Sequence, residues 1–286
     1  MSRTPFAPLF DRLVDDAAVF PPGLAPLDVA VREHLDRRSG PYAAQLGPLL
    51  VPATSAEALS SLASTDPRTA DEPLALGLVV RPGTALKPLV EALDTLRDDE
   101  RVVVTAAELG WSPQWRELLT AEVPVVVEVG LGEEQEQALD DIAAAVDDEH
   151  DVTAKFRTGA TPTWPWPDEQ VVARFLDAVV LHGLSFKLTG GLHHVVRGRH
   201  GNEPMHGVLN VLLATHEALH GAEARELAGE LAREDTEVLV TAISSLTVEE
   251  ARRVRGSFTA FGCCGVLDPL HELEALGLIS AKESQQ

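Results

Sequence analysis

Cysteine is nearly missing from this chain: two residues in 286, and those two are adjacent, Cys263 and Cys264. Neighbouring thiols cannot build a disulfide framework, and they lack the separated ligands of a structural zinc site. They read as small, reduced, buried residues at a strand end, with a catalytic role as the alternative. Long apolar runs are missing too. No stretch reaches the roughly 20 residues a membrane-spanning helix needs, and the N-terminus lacks the uninterrupted apolar core of a secretory signal. A cytoplasmic location with no membrane partner is the expectation. Positive charge is scarce, with 23 Lys and Arg against 45 Asp and Glu and a formal net charge of −22. Acidic runs such as Glu133-Glu-Gln-Glu136, Asp140-Asp141 and Asp147-Asp-Glu-His150 read as a solvated face. Such a field repels nucleic acid, which is therefore excluded as a partner.

What is present in quantity is apolar sequence, 45% of the residues. A chain of this length buries about three quarters of its extended surface on folding, so one large core needs no staples. Short runs rich in Val and Leu alternate with helix-compatible segments, the pattern of successive βα units. Strands are expected at 49–51, 75–80, 102–105, 125–129, 152–157, 184–188, 238–242 and 257–261. Helices are expected at 84–96, 133–146, 168–181, 208–219, 222–233, 248–254 and 269–276. Eight such units predict an α/β fold, a single (β/α)8 barrel over 44–286. The first strand is short, and 237–243 also fits a helix. Residues 1–43 read as an N-terminal helical extension, with apolar helical spacing at Phe6, Leu9, Phe10 and Leu13.

Lysine is the rare cation, at four residues against nineteen arginines, and two of the four fall on successive expected strands. Arginine stays charged, whereas a buried lysine can lose its proton and become a nucleophile or base. Side chains alternate along a strand, so Thr153, Lys155 and Arg157 share one face, as do Ser185, Lys187 and Thr189 in the next. Phe156, Phe186 and Leu188 then face the helices, and the cations face the barrel axis. Glu128, at the end of the preceding strand, should sit beside Lys155. A closed salt-bridge network of Glu128, Lys155 and Glu108 is one outcome. One glutamate cannot neutralise two lysines and an arginine, however, which favours a bound carboxylate or phosphate. With Lys155 and Arg157 as neighbouring charges, Lys187 is the candidate Schiff-base or proton-transfer amine. Class I aldolases offer a fold-level analogy.

Four of the ten histidines, His193, His194, His200 and His206, lie within 14 residues, in a glycine-rich stretch from Gly190 to about Gly207. A loop this long after a strand's C-terminal end marks the active face of a barrel. His193 or His194 would serve as acid and base near neutral pH. The leading reading has no cofactor. The alternative places a divalent metal such as zinc on His193, His194, His206 and Glu128, although no fixed-spacing ligand motif is present and the nearby cations oppose it. Thr189, Gly190, Gly191, Arg197, His206 and Asn210 join Arg157 as candidate substrate-binding residues. Trp164 and Trp166 wall the pocket or cover the rim, and Asp15-Asp16 lead into the turn Phe20-Pro-Pro-Gly23.

Several segments together carry a resemblance: Leu13-Val-Asp-Asp-Ala-Ala-Val-Phe-Pro-Pro22, Lys155-Phe-Arg-Thr-Gly159, Phe186-Lys-Leu-Thr-Gly-Gly-Leu-His-His194 with Arg197, His206-Gly-Val-Leu-Asn210, and Phe261-Gly-Cys-Cys264 ahead of Asp268-Pro269. Together they span most of the chain and resemble a largely uncharacterised family of bacterial proteins, in which Ser is expected where this chain has Cys263. The resemblance brings no activity with it. From the residues themselves, the expected function is a lyase or aldolase-like enzyme acting on a small anionic carbonyl compound. A metal-dependent hydrolase or lyase using the histidine cluster and a non-enzymatic barrel that binds an anionic metabolite are the alternatives. A homo-oligomer is compatible with the sequence.

Overall fold

Eight parallel strands pair side by side until the ring closes. In the computed structural model, which describes residues 7–281, the ring consists of β1 (Val14–Asp16), β2 (Leu46–Pro52), β3 (Leu74–Val79), β4 (Val102–Gly110), β5 (Val125–Glu128), β6 (Val152–Arg157), β7 (Phe186–Thr189) and β10 (Phe258–Cys263). A two-stranded antiparallel hairpin, β8 (Gly198–His200) with β9 (Glu203–Met205), stands apart from it. The helices are α1 (Ala7–Phe10), α2 (Leu27–Arg38), α3 (Ala56–Thr65), α4 (Arg68–Asp71), α5 (Lys87–Leu96), α6 (Glu133–Asp147), α7 (Glu169–Leu181), α8 (Val208–Leu219), α9 (Ala224–Leu231), α10 (Thr236–Ser245), α11 (Val248–Ser257) and α12 (Leu267–Ala275). Strand β7 and strand β10 are neighbours in the ring, yet the hairpin and helices α8 to α11 lie between them in the chain.

The barrel expected from the sequence is present, with two corrections to its parts. Residues 238–242 are not a strand. They belong to α10, where Asp235 accepts the Val238 N–H at 3.1 Å as an N-cap. The buried residues Leu239 and Ile243 are four apart, while Val238 is 42% exposed, which is helical spacing. The missing strand is β1, inside the segment expected to be an appended extension, so the boundary at residue 43 does not separate two units. Strand β1 pairs with β10 on one side and β2 on the other and is the strand that closes the ring. Its neighbour α2 is the first barrel helix. Leu9, Phe10 and Leu13 are fully buried, with α1 packed against α11; Phe6 lies outside the described residues.

Asp16 faces outward from β1 and fastens α2, accepting from Arg37 Nη1 at 2.8 Å and lying 3.1 Å from His34 Nδ1. Farther round, Phe156, Phe175, Phe186 and Phe258 form a continuous aromatic wall with successive centroid separations of 4.6, 5.6 and 5.2 Å. Because Phe175 belongs to α7, this wall lies between strands and helices. The opposite face of β6 and β7 therefore points to the axis. Helix α7 begins at Asp168, which accepts the Val171 N–H, and buries Val172, Phe175, Leu176 and Val179 on one side. Among the described residues, no helix is long and apolar enough to cross a membrane.

Candidate active site at the barrel mouth

Strand register brings Glu128 level with Lys155, and Lys155 level with Lys187. Their side chains meet inside the ring in a linear chain of alternating charge. Asp15 contacts Lys187, Lys187 contacts Glu108 at 2.5 Å, and Glu108 contacts Lys155 at 3.1 Å. Lys155 contacts Glu128 at 2.9 Å, and Glu128 accepts from Arg157 Nε at 3.0 Å. Three carboxylates thus face three cations, and all but Arg157 are buried. The closed salt-bridge alternative is the one realised. The expected surplus of cations is absent because Asp15 enters from a segment expected to lie outside the barrel, and because Glu108 serves both lysines. Gly47 is what admits Asp15, since a Cβ there would lie 2.0 Å from its Oδ1.

Burial opposes charge on Lys187, but Asp15 and Glu108 outweigh it and raise its pKa above the ordinary lysine value. Burial likewise opposes charge on Lys155, and Glu128 with Glu108 overcomes it, again raising the pKa. Neither amine has a free lone pair near neutral pH, so the expected depressed lysine is corrected: both are ammonium ions locked by carboxylates. Burial would raise the Glu108 carboxyl, yet Lys187 and Lys155 together hold it at about 2. Glu128 is also lowered, with burial outweighed by Lys155 and Arg157. Asp15 is raised because burial exceeds the help of the one ammonium it contacts, which it shares with Glu108.

Arg157 ends both this chain of charges and strand β6, and its side chain is 26% exposed. Only its Nε is engaged with Glu128, which leaves the two terminal nitrogens of the guanidinium fork at the mouth. Gly190 makes room for them: a Cβ there would lie 2.7 Å from Nη1, and its φ of +67° suits glycine. Gly191 packs its backbone on Thr158 and Gly159, so this glycine pair is accounted for by close packing of the loops after β6 and β7. Thr189 ends β7 on the inward face, and its carbonyl accepts the Thr158 N–H.

The remaining candidates divide. His194 is bound by Glu272 of α12 at 2.7 Å, and the same carboxylate accepts the Val195 N–H at 2.8 Å. His200 stacks on His194. His206 is buried with Nε2 2.8 Å from the Pro167 carbonyl. Arg197 pairs with Glu169 at the start of α7. Asn210 is fully buried, accepting the Arg197 N–H and donating to the carbonyls of Glu230 and Arg233. These residues fasten the long loop to α7, α9 and α12; His194, expected as an acid or base, and Arg197, His206 and Asn210, expected to touch substrate, are engaged in these supports. The metal set expected from His193, His194, His206 and Glu128 does not converge, because three of its four members are committed to Glu272, Pro167 and the lysine–arginine chain. Trp164 packs edge-on against Phe156 in the outer aromatic wall.

His193 alone of the cluster turns to the strand ends. Its Nδ1 is 3.6 Å from Cys263 Sγ and its Nε2 3.7 Å from Cys264 Sγ, with Asp268 4.0 Å from Nδ1. Burial lowers the His193 pKa, leaving a neutral imidazole near pH 7, and burial raises both thiols. The sequence signal for this group was the position of the cysteine pair at the C-terminal end of a barrel strand. Two clefts on the outside of the barrel, about 480 Å³ beside α7 and α9 and about 270 Å³ between α2 and α12, contain none of these groups.

No family model matches the chain, and no curated protein matches its sequence. Three solved structures of a mandelate oxidase mutant are similar in arrangement. The complex with benzaldehyde has a TM-score of 0.36 at 14% identity, covering 86% of this chain and 75% of the other. The complex with 4-Br-2-hydroxy-methylphenylacetate has 0.37 at 14%, covering 86% and 76%. The form with the C4a-OH-FMN adduct has 0.36 at 15%, covering 89% and 76%. One of these structures contains FMN, which is said of that protein, and the expectation of no cofactor, with zinc as its alternative, is not carried further. At this identity and similarity, ligand and reaction remain properties of those proteins, and what is established for this chain is the closed α/β barrel of its own strand pairing.

Proposed function

We propose that this chain is a barrel enzyme whose C-terminal mouth takes a small anionic carbonyl compound on Arg157 and carries out a lyase-like reaction by proton transfer at His193. The observation that carries the reading is the half-used guanidinium of Arg157. Its Nε is pinned by Glu128, and its fork is left at the rim, a geometry suited to a carboxylate or phosphate. In this reading Lys155 and Lys187 do not react. They orient Glu128, and through it Arg157, as members of a neutral frame. His193 supplies a neutral imidazole on the same face, which suits a general base. Membership of the bacterial family that the motifs resemble belongs to the same proposal, and the placement of Lys155–Gly159, Phe186–His194 and Phe261–Cys264 around one mouth supports it.

The test is a turnover screen with keto acids and sugar phosphates. For the compound that is consumed, His193→Ala should lower kcat by about 10²–10⁴ while binding persists. Arg157→Lys, which keeps the charge and loses the fork, should weaken binding on the order of tenfold. Borohydride reduction during turnover should leave Lys187 and Lys155 unmodified. Equal binding by Arg157→Lys, a reduced adduct on Lys187, or a tightly bound anion recovered unchanged would each sink the reading.

A further inference from the structure

Away from the mouth, on the outer helices, three side chains have the makings of an ion site. His216 lies in the last turn of α8 and His220 caps that helix, so the two rings share one face at i and i+4. Glu250 faces them from the first turn of α11, which packs against α8. One ligand atom from each lies within 4.8 Å of the other two, and His216 Nε2 is 3.7 Å from Glu250 Oε1. A tetrahedral ion with bonds of about 2.0–2.1 Å sets its ligands roughly 3.3 Å apart, so modest rotation of the exposed His220 ring completes the geometry.

The surroundings of the three groups point the same way. His216 Nδ1 lies 3.1 Å from Glu217 Oε1, and His220 Nδ1 lies 2.8 Å from the His216 carbonyl. Acceptors at both Nδ1 positions hold the proton there and leave both Nε2 lone pairs for a metal, the usual outer support of histidine ligands. His216 Nε2 is buried and, among the described residues, has no hydrogen-bond partner. Glu250 is oriented through Oε2, which accepts from the Thr247 N–H at 2.8 Å and its hydroxyl at 2.7 Å, so Oε1 stays free.

We propose that His216, His220 and Glu250 bind a divalent transition-metal ion of the zinc type, which clips the end of α8 to the start of α11. The ion is structural, not a partner in the reaction, and its fourth position on the exposed side belongs to water. The site is independent of the mouth, sharing no residue with it.

Tag-free protein stripped of metal is titrated with zinc by calorimetry. The expected result is one equivalent bound, with affinity reduced at least tenfold in His220→Ala and in Glu250→Gln and unchanged in His193→Ala. Zinc should raise the Tm of the unaltered chain and leave that of His220→Ala in place, and a cobalt(II) complex should lack thiolate charge-transfer absorption. Failure to bind zinc, binding by His220→Ala equal to that of the unaltered chain, or a thiolate signature from Cys263 or Cys264 would overturn the proposal.

Discussion

Glu108 touches both buried lysines, and among the described residues neither lysine has more than one other carboxylate. Its replacement by glutamine therefore leaves Lys155 and Lys187 each short of a counter-ion in a low-dielectric interior. Breaking a buried pair in this way costs about 3–5 kcal/mol. Urea unfolding of Glu108→Gln should show a loss of that size, and an unchanged midpoint would mean that the chain of charges adds nothing to stability. The inward lysines were legible from sequence through strand alternation, and Glu128 beside Lys155 followed from the same rule. What was not legible was the count of partners. Asp15 sits 172 residues from Lys187 in the chain, and nothing in local spacing joins them. The same limit hid the fate of His194, Arg197 and Asn210, whose acceptors and donors come from α12, α7 and α9.

Among the elements, the longer strands and most helices announced themselves through apolar periodicity. Strand β1 did not, because it has three residues and two of them are aspartates. Segment 238–242 misled for the opposite reason, being rich in apolar residues but facing the core only once per helical turn. The loops after β6 and β7 depend on a contact that composition alone hints at. A Cβ on Gly159 would lie 1.5 Å from the Gly190 carbonyl oxygen, where backbone has little freedom to yield. Gly159→Ala should cost about 1–3 kcal/mol and weaken anion binding as well, since it displaces the glycine beside Arg157. Gly229, exposed within α9 and with open space where a methyl group would stand, is the matched contrast. Gly229→Ala should stabilise by about 0.5–1 kcal/mol through helix propensity. Thermal unfolding of the two variants decides whether close approach, and not glycine as such, is what the loops require.

For the molecule as a whole, the chain of charges sets a pH range. Glu108 and Glu128 have lowered folded pKa values, so their stabilisation is present above the ordinary 4.5 and is lost as pH falls, with Glu108 lasting to about 2. Lys155 and Lys187 have raised values, so theirs is present below the ordinary 10.5 and is lost as pH rises through the higher folded values. Asp15, raised by burial, has the opposite sign to the two glutamates and softens the acid edge. The values of His193, His200 and His206, lowered by burial, and those of the two thiols, raised by it, narrow this range, so urea midpoints should form a plateau between about pH 7 and 9 and fall on both sides; the absence of a plateau there would contradict this. The pairing of Asp15 with Lys187 also bears on how the ring chooses its closing register. A slip of β1 by one residue in one direction would put Val14 in Asp15's place and take that carboxylate from Lys187; in the other, Asp16 would fill Asp15's place and Ala17 would stand where Asp16 meets Arg37. The first strand therefore carries its own proofreading, in which a closure misaligned in either direction leaves Lys187 or Arg37 short of an aspartate.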